Sequence, residues 1–314
     1  WSNPMIRRPT DILEALTPAS GKALRALPAL PQAARLPAIF RRRGSDAAAA
    51  RQLNQGAAIL ALSVLADSAI EHYRGSFENR AMYAPLVASA LALAASLAAS
   101  TEERPQPKLW RDAIYGAATI VGAAGLGFHI YNIAKRPGGF SWLNFFYAAP
   151  IGAPGALVMA GLLGRGAERV RKRSRRPLKL LGLPLGRLLA LISATGIAGA
   201  VGEAGLLHFR GAFQNPAMVL PLSAPPVASA LLGASALQRR GPRRLARWWL
   251  ALTALLGFIG SGFHVYGVSR AMGGWRNWSQ NVLNGPPLPA PPSFAGLALA
   301  GLAALLLIEN EADA

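Results

Sequence analysis

The chain's four histidines recur in two pairs of matching contexts: His72 and His208 each precede a (Tyr/Phe)-Arg-Gly, and His129 and His264 each follow a Gly-Phe. Neutral imidazole is an iron ligand, and two imidazoles on facing helices are the arrangement that holds a b-type haem. We therefore read His72 with His129, and His208 with His264, as candidate axial pairs, one haem in each half of the chain. Arg74 and Arg210, two residues beyond His72 and His208, are candidate partners for haem propionates, because guanidinium matches a carboxylate geometrically. A compact copper or zinc site is the alternative for the same four histidines, and it needs all four rings to converge on one ion. A third reading involves no cofactor: His-Tyr-Arg-Gly at a helix end serves as an interfacial cap bonded to backbone carbonyls and lipid headgroups.

Two acids and two methionines repeat with the histidines. Asp67 answers to Glu203, each five positions before its histidine, whereas Glu71 is answered by Leu207. An ionisable residue inside an apolar segment is a functional candidate by default, so Asp67 and Glu203 are candidates for a proton relay or for simple pairing with an Arg or amide. Met82 and Met218 are read as packing residues with axial ligation as the lesser alternative. Asn79, Asn215, Phe77 and Phe213 shape the turn between them. Gly125 and Gly127, matched by Gly260 and Gly262, precede the second histidine of each half and would admit a flat macrocycle or another helix.

These residues sit in a duplicated frame. Residues 67–86 (DSAIEHYRGSFENRAMYAPL) align without a gap to residues 203–222 (EAGLLHFRGAFQNPAMVLPL). The offset of about 136 positions also relates the second pair of histidines, and Pro150 and Pro154 answer to Pro287 and Pro291. Hydrophobic residues make up 52% of the chain and charged residues 15%. The apolar residues gather in runs of roughly 17–23, the length that crosses a bilayer as a helix. We expect an all-α integral membrane protein with about eight transmembrane helices, over 56–73, 81–99, 112–134, 148–164, 187–208, 217–237, 247–267 and 292–308. Four crossings per repeat make the two repeats parallel, so equivalent residues lie at equal depth.

The resulting division is a basic N-terminal segment (1–55), repeat 1 (56–164), a basic linker (165–186), repeat 2 (187–308) and a short tail (309–314). The chain opens on Trp1, so we expect an incomplete or processed N-terminus, and a short amphipathic helix over 11–27 lying on a surface. The net charge of +19 suggests nucleic acid only until its placement is considered. The clusters Arg41-Arg42-Arg43 and Arg171-Lys172-Arg173, with Arg175-Arg176, alternate with weakly charged connections, which marks the basic side as cytoplasmic and gives cytoplasmic N and C termini. The location expected is the inner (cytoplasmic) membrane. The basic clusters would also attract anionic lipid.

The weakly basic connections hold Trp142, Trp275 and Trp278, aromatic residues of the water interface, and Gly138-Gly139 and Gly273-Gly274 allow them to fold back as caps. The absence of cysteine excludes thiolate-held clusters, covalent haem attachment, disulfides and thiol catalysis. No phosphate-binding loop, zinc-protease motif or nucleophile elbow is present, so any enzymatic role is at most that of a redox subunit. The expected function is a di-haem b-type cytochrome passing electrons between an outer-face redox partner and the quinone pool. The alternative is a haem-free carrier or docking subunit with a polar cleft between the repeats.

Overall fold

The computed structural model describes residues 38–102, 106–148, 150–172, 179–238 and 240–312, and Arg42–Ala314 form one compact unit. The amphipathic segment expected over 11–27 lies outside the described residues. Alanine and leucine, both strong helix formers, make most of the chain helical. The elements run α1 (Ala38–Arg74), a 3-10 turn (Arg80–Tyr83), α2 (Ala84–Ser100), α3 (Leu109–Ala134), α4 (Trp142–Tyr147) and α5 (Gly152–Arg171). A two-residue hairpin of β1 (Lys179–Leu180) and β2 (Leu183–Pro184) follows. The second series is α6 (Leu185–Arg210), a 3-10 turn (Pro216–Leu222), α7 (Ala224–Leu237), α8 (Arg243–Arg270), a 3-10 turn (Gly274–Asn277), α9 (Trp278–Asn284) and α10 (Pro292–Ala312).

Among the described residues seven helices are long and apolar enough to cross a membrane: α1 from Gly44, α2 and α7 each with its preceding 3-10 turn, α3, α6, α8 and α10. At 1.5 Å per residue, the 26 residues of α3 extend about 39 Å, more than the hydrocarbon core requires. The protein is a multi-pass helical membrane protein. The segment expected over 148–164 is the helix α5, shifted towards the basic linker. It has 20 residues, but Arg165, Glu168, Arg169 and Arg171 make it less apolar than the other seven. The first helix begins at Ala38, well before 56, because the Ala-rich stretch before Gln52 extends it towards the N-terminus despite Gly44. The start of α7 is displaced to Ala224 because Pro221 cannot donate to an α-helical turn and the chain winds as 3-10 instead.

Burial is inverted between the centre and the rim. Central α10 packs Ala295, Ala298, Ala303, Ala304 and Leu305 with no exposure, whereas α3 and α8 present Ile120, Phe128, Trp248 and Leu255 outward. An apolar exterior of this kind is what lipid solvates. Small residues set the closest crossings: Gly56 of α1 and Gly296 of α10 face each other so closely that a Cβ on either would strike the other's carbonyl oxygen. On α5, Gly161 and Gly164 lie against the backbone and ring of Tyr115 on α3. Helix α10 also packs on α6 and α8, and α6 reaches across to α5.

The basic end of the first half is closed by a buried ion cluster. Arg111, with no exposed surface, pairs with Glu102 at 2.7 Å and with Glu168 at 2.9 Å; Glu168 also holds Arg171 at 2.8 Å. Tyr115 donates to Asn54 on α1 at 2.8 Å and accepts from Ser96 on α2 at 3.2 Å, so four helices meet here. The run Arg104 to Arg111 reads in sequence as a basic connection, but Arg111 belongs to α3 and its charge is spent inside the protein.

Candidate functional site

Each of the four histidines is held by a turn, and the turns come in two kinds. In the first kind, α1 ends on a hydrogen bond from the Gly75 N–H to the Glu71 carbonyl (3.0 Å), and the Phe77 N–H reaches back to the His72 carbonyl (3.0 Å). Ser76 and Phe77 take left-handed backbone conformations, φ 54° and 46°. Such conformations are costly for residues with a Cβ and persist where the surroundings over-determine them. Asn79 then accepts the Ala81 N–H and starts the 3-10 turn, which brings the Met82 carbonyl to 2.7 Å from His72 Nδ1. The second half repeats every step: Gly211 to Leu207 (3.0 Å), Phe213 to His208 (3.1 Å), left-handed Ala212 and Phe213, Asn215 capping Ala217, and Met218 oxygen 2.7 Å from His208 Nδ1. The shared motif His-(Tyr/Phe)-Arg-Gly-x-Phe-x-Asn-x-Ala-Met is thus a loop that returns to grip its own histidine.

The other kind uses the proline entering the next long helix. His129 Nδ1 lies 2.5 Å from the Pro150 carbonyl, and His264 Nδ1 lies 2.7 Å from that of Pro287. A carbonyl oxygen only accepts, so in each of these hydrogen bonds Nδ1 carries a proton, which in the neutral ring leaves the lone pair on Nε2. Among the described residues no hydrogen bond occupies those Nε2 atoms. Metal-ligating histidines have this form, with one ring nitrogen anchored to a backbone carbonyl and the other left to the ligand.

His72 and His129 lie close enough to interact electrostatically, and so do His208 and His264. All four are half-buried. Phe77 meets the His72 ring edge-on at 6.2 Å and stacks on Tyr83 at 4.5 Å; Phe213 meets His208 at 6.4 Å. Among the described residues no three His, Asp or Glu side chains gather in the manner of a compact metal centre.

The remaining sequence candidates divide. Gly127 and Gly262 have open space where a side chain would be, whereas Gly125 and Gly260 lie against Pro154 and Pro291 and serve helix packing. Met82 and Met218 present carbonyls, not sulfur, to the histidines; their methyl ends lie over Gly75 and Gly211. Arg74 donates to the Leu283 carbonyl (3.1 Å) and pairs with Glu71 (2.5 Å), and Arg210 donates to the Phe146 carbonyl (2.9 Å). Each arginine therefore ties the end of one half's first helix to the cap of the other half. Asp67 interacts electrostatically with Glu71, Arg74 and Glu203, which brings the two repeat-equivalent acids near one another. The Glu203 carboxylate lies tight against Gly152 at the start of α5, where a Cβ would strike it.

Two residues that sequence reading did not select complete the frame. Asn144 donates to the Pro137 and Gly139 carbonyls (3.1 and 2.7 Å), and Asn281 donates to those of Met272 and Gly274 (3.2 and 2.8 Å). They lock the loops that carry Gly138-Gly139 and Gly273-Gly274 into caps. Their signal was the repeat offset, blurred by a one-residue slip relative to Trp142 and Trp278. Compared with known protein families, curated proteins and solved structures, the chain matches none. Fold and site define it as a multi-pass helical membrane protein with four backbone-anchored histidines at duplicated positions.

Proposed function

We propose that this protein is a di-haem b-type membrane cytochrome, an electron-transfer subunit linking an outer-face redox protein to the quinone pool. In this reading α5 is the eighth crossing, the chain is two parallel four-helix repeats in the inner membrane, and both termini are cytoplasmic. The observation that carries it is the backbone anchoring: four histidines, at duplicated positions, each set Nδ1 against a backbone carbonyl and leave Nε2 available. His72 with His129, and His208 with His264, would hold the two haems, and Gly127 and Gly262 leave room beside the second histidine of each pair. A haem so held supplies one-electron transfer, and its potential is set by the ligands and their hydrogen bonds. The residues of this chain fix ring orientation before any ligand arrives.

The test is a reduced-minus-oxidised visible spectrum of the detergent-purified protein with a haemochrome assay. Sharp b-type bands at about two haems per chain are expected, falling to about one in His129→Ala. Unchanged haem content in that variant, or a colourless protein purified under haem-retaining conditions, sinks the assignment. A second reading, a haem-free carrier or docking subunit with a polar cleft between the repeats, draws on the proximity of Asp67 and Glu203. Substrate-driven proton movement in proteoliposomes, abolished by Asp67→Asn, would favour it.

A further inference from the structure

The two outer turns share one backbone but differ in what lines them. Between the end of α1 and α9 opens a cleft of 510 Å³ bounded by Tyr73, Arg74, Ser76, Phe77, Leu283 and Asn284. The corresponding positions of the other half carry Phe209, Arg210, Ala212, Phe213, Phe146 and Tyr147. There Phe146 stacks on Phe209 at 5.6 Å and lies across the equivalent space. In the first half Leu283 replaces Phe146, and among the described residues Tyr73 makes no ring contact. Three lining positions have also changed in chemistry: Phe209, Ala212 and Tyr147 become a phenol, a hydroxyl and an amide at Tyr73, Ser76 and Asn284. One turn is covered by a stacked aromatic pair, and its duplicate is open and gains hydrogen-bonding groups at Tyr73 and Ser76.

Charge narrows what the open cleft accepts. Arg74 is paired with Glu71 at 2.5 Å, whereas Arg210 has Leu207 in the corresponding place. The paired guanidinium keeps unused N–H donors but offers little net positive charge, which disfavours a phosphate or carboxylate and favours a neutral acceptor. Phe77 and Leu283 supply apolar walls, and a planar ring packs against an aromatic face. The volume falls within the range of small-molecule sites. The cleft begins at the residue after His72, at the outer end of α1.

We propose that this cleft, and not its duplicate, binds the headgroup of a quinone: a neutral planar ring whose carbonyl oxygens accept hydrogen bonds from Arg74, Ser76 and Asn284. The assignment rests on the electron-transfer reading only for the use made of the bound ring; binding itself requires no haem.

The experiment is equilibrium dialysis of a labelled short-chain benzoquinone against the full chain in nanodiscs, with the visible spectrum recorded on the same samples. One saturable site is expected. The double variant Tyr73→Phe/Leu283→Phe, which rebuilds the closed turn, should weaken binding about tenfold or more, and Ser76→Ala should weaken it severalfold. Phe146→Leu, on the other side, should leave that site's affinity unchanged. Unfolding temperature and spectrum show that each variant is folded. Undiminished affinity in the folded double variant overturns the proposal, as does displacement of the quinone by anionic phospholipid in proportion to its charge. A normal two-haem spectrum without quinone binding overturns the cleft and spares the cytochrome reading. Saturable binding to a colourless protein does the reverse.

Discussion

The Nδ1–H of His208 donates to the carbonyl of Met218 at 2.7 Å, and ten residues of sequence are folded into a turn to make that one bond. His72 and Met82 repeat it at the same distance. The bond fixes a tautomer that free imidazole populates less than its Nε2–H form. Nitrogen-15 NMR of histidine-labelled, ligand-free protein should therefore show four neutral rings protonated on Nδ1 at mildly alkaline pH. Rings protonated on Nε2 would contradict the geometry on which the site is built.

The gripping turn carries a measurable cost. Ala212 sits at φ 55° and Ser76 at φ 54°, where an L-residue is disfavoured by roughly 1–2 kcal/mol relative to glycine. Ala212→Gly should thus raise the thermal unfolding midpoint in detergent by about 1 kcal/mol equivalent, less the added entropy of the unfolded chain. Ala212→Val, which is β-branched, should lower it. A glycine variant less stable than the parent would mean that the left-handed turn is not the ground state.

Much of this was legible before the structure. The duplication, the long apolar segments and the folded caps follow from spacing, because a repeat carries its own internal alignment and bilayer thickness fixes helix length. What spacing cannot reveal is the partner of a side chain. Arg74 looked available for a carboxylate cofactor, yet it reaches Glu71 and the Leu283 carbonyl, a contact spanning 209 positions. Arg111 looked like one more basic loop residue, yet helix packing turns it inward. The apolar length of α5 was visible, but its later start was not, since Pro150 and Pro154 mark a boundary without saying on which side the helix nucleates.

Arg111 makes that hidden cluster testable. It has no exposed surface and bridges Glu102 and Glu168, so Arg111→Ala would strand Glu168 with Arg171 as its remaining ion partner. Loss of one member of a buried ion network costs about 3–5 kcal/mol, whereas Arg111→Met combined with Glu168→Gln should cost much less. Thermal unfolding of the two variants separates these outcomes. Equal losses would show that the ionic contacts themselves, and not the stranding of a buried charge, hold the cluster.

The same cluster sets an acid limb to stability. Burial raises the Glu102 carboxyl, but hydrogen bonds and charge from Lys108 and Arg111 outweigh it and leave the group below its ordinary 4.5. A depressed carboxylate contributes stability that is present above the unfolded value and lost as pH falls through the folded one. The parent's unfolding temperature should therefore fall as pH drops below about 4.5, and Glu102→Gln should show a shallower decline over that window from a lower plateau. An identical acid limb in both proteins would place the pH dependence elsewhere.

The crossing of α1 and α10 gives the sharpest packing prediction. At Gly56 and Gly296 the two backbones approach so closely that the carbonyl oxygen of each occupies the space a partner's Cβ would need. Backbone atoms cannot swing aside as a flexible side chain can, so the helices must separate, and the packed residues on both lose contact together. Gly296→Leu should abolish accumulation of folded protein or lower its unfolding temperature steeply, and Gly56→Ala should be damaging despite adding one methyl group. Gly127→Ala is the control, because nothing lies within 4 Å of its Cβ position. Fluorescence-detected size exclusion of the three variants checks this directly. A monodisperse, heat-stable Gly296→Leu protein would show that α1 and α10 do not cross at these glycines.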